Sequence, residues 1–210
     1  MTWSYRLEVA RKGIHILSIS FVFIYLLFSY LFSHTIGLFA LAFLLIVLIE
    51  VEYVRIELGK RIPLISRLWA VKRPKEKEKL GGEVFFLIGA IICLAIFNLH
   101  IAVTAILMTT FGDLAAALIG KKFGKHWLSY LKNRAWEGII AELVVNIIIG
   151  FLVIGTFINK DISGWIIILT MAITATVVET IIAKLDDNLL IPVFTGFNGQ
   201  IALLIVGLLL

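Results

Sequence analysis

Apolar residues gather into seven runs, 14–32, 35–54, 84–99, 101–120, 135–158, 164–182 and 189–210. Coiled as an α-helix, about 20 residues rise roughly 30 Å, the thickness of a bilayer's hydrocarbon layer. Backbone N–H and C=O groups find no water in that layer, so each run has to satisfy its own as a helix. The runs are too long and too uniform to alternate as the strands of a soluble sheet. Hydrophobic residues make up 61% of the chain and charged ones 16%, against about 45–50% and 25% in a soluble domain. A water-soluble globule, a disordered chain and a coiled coil are all excluded. The expected fold is all-α, a polytopic membrane bundle of seven helices, with 1–210 as a single domain. The third run is the shortest and has the least sharply marked ends.

The net charge is +5, and its distribution says more than its sign. Arg6, Arg11 and Lys12 precede the first run. Nine basic residues lie between Arg55 and Lys79, five between Lys121 and Arg134, and Lys184 follows the sixth run. With seven helices these 18 fall on one side and only Lys160 on the other. The positive-inside rule then puts the N-terminus in the cytoplasm and the chain's last residue outside. No small-residue cleavage site follows the first run, so no removable signal peptide is expected. All five tryptophans fall at or near run ends, which fits an aromatic belt and not a platform for bases; nucleic acid is not an expected partner. The run Lys72–Lys79 reads as a solvated or headgroup-facing loop, or as a partial cover over a cytoplasmic site. The lone Cys93, in an apolar run, reads as a small core residue.

Charged side chains inside such runs are costly, so each is a functional candidate. Asp113 lies about 10 Å inside the fourth run, counted back from Gly120 at 1.5 Å per residue. With Ala116, Gly120 and Gly124 it forms one helical stripe, an acid followed by small residues that admit a neighbouring backbone or a ligand. Arg134-Ala-Trp-Glu137-Gly138 stands at the start of the fifth run, where an acid also serves as a helix cap. Glu179 near the end of the sixth run is followed by Asp186-Asp187-Asn188 and Pro192. Glu8, Arg11, Lys12 and His15 share a face ahead of the first run, which suits an anchoring salt bridge equally well. The charge asymmetry carries Asp113, Glu137, Glu179, Asp187 and Asn188 to one face, with Lys121, Lys122, Lys125 and Arg134. Carboxylates and an amide suit Mg²⁺ or another divalent cation. Lysine and arginine suit phosphate oxygens. A half-buried cleft with both fits chemistry between a cytosolic nucleotide and a lipid headgroup.

At these residues the chain resembles the polyprenol kinase family, which includes dolichol kinases, phytol kinases and CTP-dependent diacylglycerol kinases. That family's signature, Asp-x-x-Ala-x-x-x-Gly-x-x-x-Gly followed by Lys-(Ser/Thr)-x-Glu-Gly, stands here as Asp113, Ala116, Gly120 and Gly124, then Arg134, Ala135, Glu137 and Gly138. Its opening Glu-x-x-Arg-Lys-x-x-His matches Glu8, Arg11, Lys12 and His15. Its late Glu and Asp-Asn-x-x-x-Pro match Glu179, Asp187, Asn188 and Pro192. Arg134 replaces the usual Lys, keeping the charge and changing the geometry. Ala135 removes a hydroxyl.

The resemblance implies a membrane kinase that transfers a phosphoryl group from CTP to a polyprenol such as dolichol, phytol or geranylgeraniol at the cytoplasmic face. Its implied catalytic residues are Asp113, Glu137 and Asp187, with Glu179 joining them around a divalent metal. Implied nucleotide contacts are Ala116, Gly120, Lys121, Lys122, Gly124, Arg134, Gly138 and Asn188, with Arg11, Lys12 and His15. Two other functions use similar parts. A cytidylyltransferase would activate a lipid phosphate, though signatures of that type are absent. A cation or proton transporter would need acids near mid-membrane, and most here cluster at one face. Deeper in the bundle, Asn146 with Asn198 or Gln200 is expected to tie the fifth helix to the seventh. A second expectation makes the glycine-rich stretch around Gly199 the floor of a lipid groove.

Overall fold

The structure, a computed structural model, describes residues 12–13, 16–57, 79–128, 134–157, 162–181 and 185–209. Glu8, Arg11 and His15 lie outside them. Among the described residues seven helices follow in order: α1 (Ile19–Leu31), α2 (His34–Glu57), α3 (Gly82–Ile96), α4 (Leu99–Phe123), α5 (Trp136–Phe157), α6 (Ile162–Ile181) and α7 (Asp187–Leu209). They match the seven apolar runs one for one. α2, α4, α5, α6 and α7 are long and apolar enough to cross a membrane; α1 and α3 are shorter. Two differences bear on the site. A small hairpin, β1 (Trp127–Leu128) and β2 (Arg134–Ala135), separates α4 from α5, so α5 begins at Trp136 and Arg134 belongs to a strand. α4 also runs on to Phe123, leaving Asp113 about 15 Å from the helix end at 1.5 Å per residue.

The chain divides into two compact units, 1–91 and 92–210. In the first, α1 packs on α2. The turn between them is held by the Tyr25 hydroxyl, 2.7 Å from His34 Nδ1. Farther along α2 the buried Glu52 accepts hydrogen bonds from Arg55 Nε (3.1 Å) and Nη2 (2.7 Å) and from the Gly81 N–H (2.7 Å). Arg55 also donates to the Lys79 carbonyl at 2.6 Å. This clasp fixes residues 79 and 81 to the end of α2. Sequence reading did not mark Glu52, although an acid in an apolar run is itself the signal.

In the second unit α4 packs along α5, α6 lies against both α5 and α7, and α7 returns onto α4. Its core is built from Ile101, Ala105, Met108, Ile154, Ile167, Met171 and Ala175. Polar side chains are also inside: Thr104, Thr109, Thr110, Glu142, Asn146, Thr176, Glu179 and Thr195 are buried, while Ile140, Ile148, Leu152, Ile173 and Leu204 face outward. Such a distribution belongs to a multi-pass membrane protein, whose surroundings are as apolar as its core.

The buried amides tie helices, but not the expected pair. Asn146 of α5 donates to Thr176 of α6 (3.2 Å), and Asn198 of α7 donates to Thr174 of α6 (3.1 Å). Gln200 accepts the Asn98 N–H at the start of α4 (2.8 Å). Each amide meets the hydroxyl or N–H nearest its own depth, and α6 stands between α5 and α7. Gly199 is packing, not a groove floor: a methyl there would lie 2.6 Å from Met171 Sδ and 3.2 Å from Ile101 Cγ2.

Small residues set the crossing of α4 and α5. A methyl on Gly138 would stand 2.7 Å from the Ala116 carbonyl and 3.1 Å from the Gly120 Cα. The stripe after Asp113 therefore receives a backbone, that of α5. Gly138→Ala should destabilise the protein by about 1–3 kcal/mol, the usual cost of overpacking. Gly207→Ala, where a methyl meets nothing within 4 Å, should leave it unchanged or slightly more stable. Unfolding of the two variants in detergent checks both.

Candidate functional site

The hairpin after α4 is shaped by its smallest residues. Gly124 caps α4 through its N–H to the Gly120 carbonyl (3.0 Å), and Trp127 Nε1 donates to the Gly124 carbonyl (3.1 Å). A methyl on Gly124 would stand 2.6 Å from that of Ala135. Ladder pairing sets Trp127 opposite Ala135 and Leu128 opposite Arg134. The Trp136 N–H then bonds the His126 carbonyl at 3.0 Å. Glu137, in the first turn of α5, lies 2.9 Å from His126 Nδ1 and accepts the His126 N–H at 3.5 Å. Its carboxylate thus pins the hairpin to the positive end of α5. Lys121, Lys122 and Lys125 are exposed around the end of α4, and Lys122 lies over the Phe123 ring.

The hairpin delivers Arg134 into a pocket of acids. Its Nη1 pairs with Glu179 Oε1 of α6 at 2.5 Å, and the two side chains are 18% and 1% exposed. Burial opposes the guanidinium charge. Glu179 first, then Glu142 of α5 and Asp113 of α4, outweigh burial and hold the Arg134 pKa above its ordinary value. Glu142 is buried beside Glu179, and its Oε2 has no hydrogen-bond partner. Among the described residues, four elements therefore set Arg134 and three carboxyl groups within electrostatic reach of one another.

Of the residues marked in the sequence, Asp113, Arg134 and Glu179 come together. Glu137 stays with the hairpin. Ala116, Gly120 and Gly138 form the α4–α5 crossing, and Gly124 the α4 cap. Asp186 caps α7, its Oδ1 accepting the Asn188 backbone N–H (3.0 Å) and side-chain Nδ2 (2.9 Å); Asp187 is the first residue of that helix. Lys12 is buried in the first unit. Glu142 was missed because it lies outside every motif, though an acid inside the fifth apolar run was signal enough. Among the described residues no three His, Cys, Asp or Glu side chains are placed to hold a metal ion together.

The chain is similar to curated proteins over most of its length. A Schizosaccharomyces pombe protein named CTP-dependent diacylglycerol kinase 1 is 28% identical over 92% of this chain and 93% of its own. A Saccharomyces cerevisiae protein of the same name is 26% identical over 72% of this chain. A Triticum aestivum protein named probable phytol kinase, chloroplastic, is 27% identical over 58%. The chain covers 52% and 44% of those last two relatives' own lengths. No family model matches the chain, and no solved structure does.

Breaking a buried ion pair costs about 3–5 kcal/mol when it strands a charge. Glu142 and Asp113 remain near Arg134 when Glu179 is neutralised, so Glu179→Gln should destabilise the protein by less, about 2 kcal/mol. Arg134→Met, which removes a guanidinium that three acids share, should cost more. Chemical unfolding of both variants side by side tests the order.

Proposed function

We infer that this chain, a member of the polyprenol kinase family, transfers the γ-phosphoryl group of CTP to the hydroxyl of a membrane lipid alcohol. The observation that carries the reading is the meeting of Asp113, Arg134 and Glu179 from three separate elements of the second unit. Phosphoryl transfer asks little covalent chemistry of a protein; it asks for alignment and for charge to meet the phosphate oxygens. Lys121, Lys122 and Lys125 draw the triphosphate to the end of α4. Arg134 offers a planar fork matched to phosphate. Glu137 holds the hairpin that carries Arg134 and so sets its reach. Asp187 and Asn188, at the start of α7, lie where a lipid hydroxyl enters from the bilayer.

A divalent cation fits the donor chemistry, since Asp113 and Glu179 offer hard oxygens and Glu142 Oε2 is an orphaned oxygen beside them. Bound there with the nucleotide, it would neutralise charge on the transferred group. The substrate is a polyprenol or a diacylglycerol, each presenting a hydroxyl at the interface above an apolar tail. The site faces the cytoplasm, where the basic segments gather and CTP is found.

Purified protein with γ-labelled CTP and either lipid should yield labelled lipid. Label entering lipid only from the α-phosphate would mean a cytidylyltransferase instead. Asp113→Asn should lower turnover by about 100-fold or more, the scale of losing one electrostatic group at such a centre, while the protein still inserts. A reporter fused after Leu210 should be active outside the cytoplasm; cytoplasmic activity there would reverse the orientation.

A further inference from the structure

We propose that the indole ring of Trp127 is a stacking platform for the base of the nucleotide, set beside the lysines at the end of α4. The inference deepens the kinase reading and rests on it for the nucleotide itself.

Trp127 lies between the fourth and fifth apolar runs, where a tryptophan also suits the aromatic belt of a bilayer. The hairpin gives it a different setting. It opens β1, three residues past the Gly124 cap of α4. A belt indole keeps its body in apolar surroundings and turns its N–H to the wet headgroup side. Trp127 spends its N–H inside the protein, on the Gly124 carbonyl at 3.1 Å.

That bond also fixes the ring. Its Cζ2 rests against Gly124, where an added methyl would stand 3.2 Å away. Nε1 and Cζ2 share one edge of the indole, so that edge is held while the residue as a whole stays 51% exposed. A ring already fixed loses little freedom when a ligand stacks on it. Every base has a π-face to offer such a ring. Trp165, at the other end of α6, differs: Phe151 is already stacked on it, ring centroids 5.9 Å apart.

The surrounding charge selects a partner that carries phosphate. Lys125 stands two residues before Trp127, and Lys121 and Lys122 lie in the last turn of α4; all three are exposed. Ladder pairing sets Trp127 opposite Ala135 and Leu128 opposite Arg134. Successive pairs project to opposite faces of a ladder. Trp127 therefore stands on one face of the hairpin, and Arg134, which runs to Glu179, on the other. A base stacked on Trp127 sends its triphosphate past the lysines toward Arg134. Stacking tolerates any base, so Trp127 supplies affinity for a nucleoside triphosphate and not the choice of cytosine.

Two probes test this by titration calorimetry on the whole protein in detergent: CTP, and inorganic triphosphate, which has the charge without the base. Trp127→Ala should raise the CTP dissociation constant about tenfold, within the range for losing one stacked base, and leave that of inorganic triphosphate unchanged. Trp127→Phe, which keeps a ring and loses the N–H, should fall between. Should Trp127→Ala fail to fold, Trp127→Phe carries the test: CTP but not inorganic triphosphate should quench the tryptophan emission of wild type, and the quench should vanish in the variant. Equal loss for both probes would mean a collapsed hairpin and would overturn the platform. So would an equal loss of CTP affinity in Trp136→Ala, whose tryptophan opens α5 and is 50% exposed. Unchanged CTP affinity in Trp127→Ala, with Trp127 emission quenched by brominated phosphatidylcholine, would return the residue to the aromatic belt. Transfer from γ-labelled CTP by wild type judges the kinase reading separately: normal transfer with an unaffected Trp127→Ala sinks the platform alone, and no CTP binding by wild type sinks both.

Discussion

The burial of Arg134 beside carboxylates governs the second unit. Arg134 precedes α5 on a two-residue strand, yet its charge ends inside the protein against Glu179. A guanidinium cannot shed its proton, so it must be met by carboxylates wherever it is buried. That requirement draws the hairpin down onto α6 and brings Asp113 and Glu142 toward the same point. Glycine at 124 and 138 is what permits the approach, one at the cap of α4 and the other at the α4–α5 crossing. The family resemblance expects lysine at position 134. Arginine keeps the charge and presents a fork that can serve two carboxylates or a phosphate.

The fold was legible because a bilayer leaves few choices. Apolar length forced helices, and the basic asymmetry required an odd number of them. All seven appear within a few residues of the runs. The hairpin was not legible. Two-residue strands leave no periodicity, and Arg134-Ala135 carries no strand signal of its own. The site was legible in part. Asp113, Arg134 and Glu179 were found by motif, and they meet. Glu142 and Glu52 were passed over because they sit in apolar runs without a motif, where their cost alone should have marked them. Which amide meets which hydroxyl was beyond the sequence, since that depends on how far each helix is shifted along its neighbour.

Those shifts explain how α6 holds the second unit together. Thr176 donates its hydroxyl hydrogen to the Ala172 carbonyl (2.9 Å) and accepts from Asn146 (3.2 Å). Thr174 donates to the Thr170 carbonyl (2.7 Å) and accepts from Asn198 (3.1 Å). In both, the hydrogen is spent within α6 and the lone pairs are turned outward, one toward α5 and one toward α7. Two residues apart on a helix, they lie on opposite flanks. Glu179 continues the pattern with a charge, taking Arg134 about one turn nearer the hairpin. A helix that accepts from both neighbours and from the hairpin suits a setting in which apolar packing alone does not distinguish protein from lipid.

Polar strength therefore rises along α6 toward the hairpin. At the levels of Thr174 and Thr176 neutral hydroxyls meet neutral amides, each worth about 1 kcal/mol or less in such surroundings. At the level of Glu179 the partners are ionised, and a charge there demands an opposite charge. Neutral ties can stay closed because each threonine spends its hydrogen within α6 and meets an amide N–H with a lone pair. The charged end is different, for Glu142 Oε2 there has no hydrogen-bond partner. Helices tied along their length by neutral bonds thus keep their charged tie, and the unmet Glu142 oxygen, at the end where the hairpin docks.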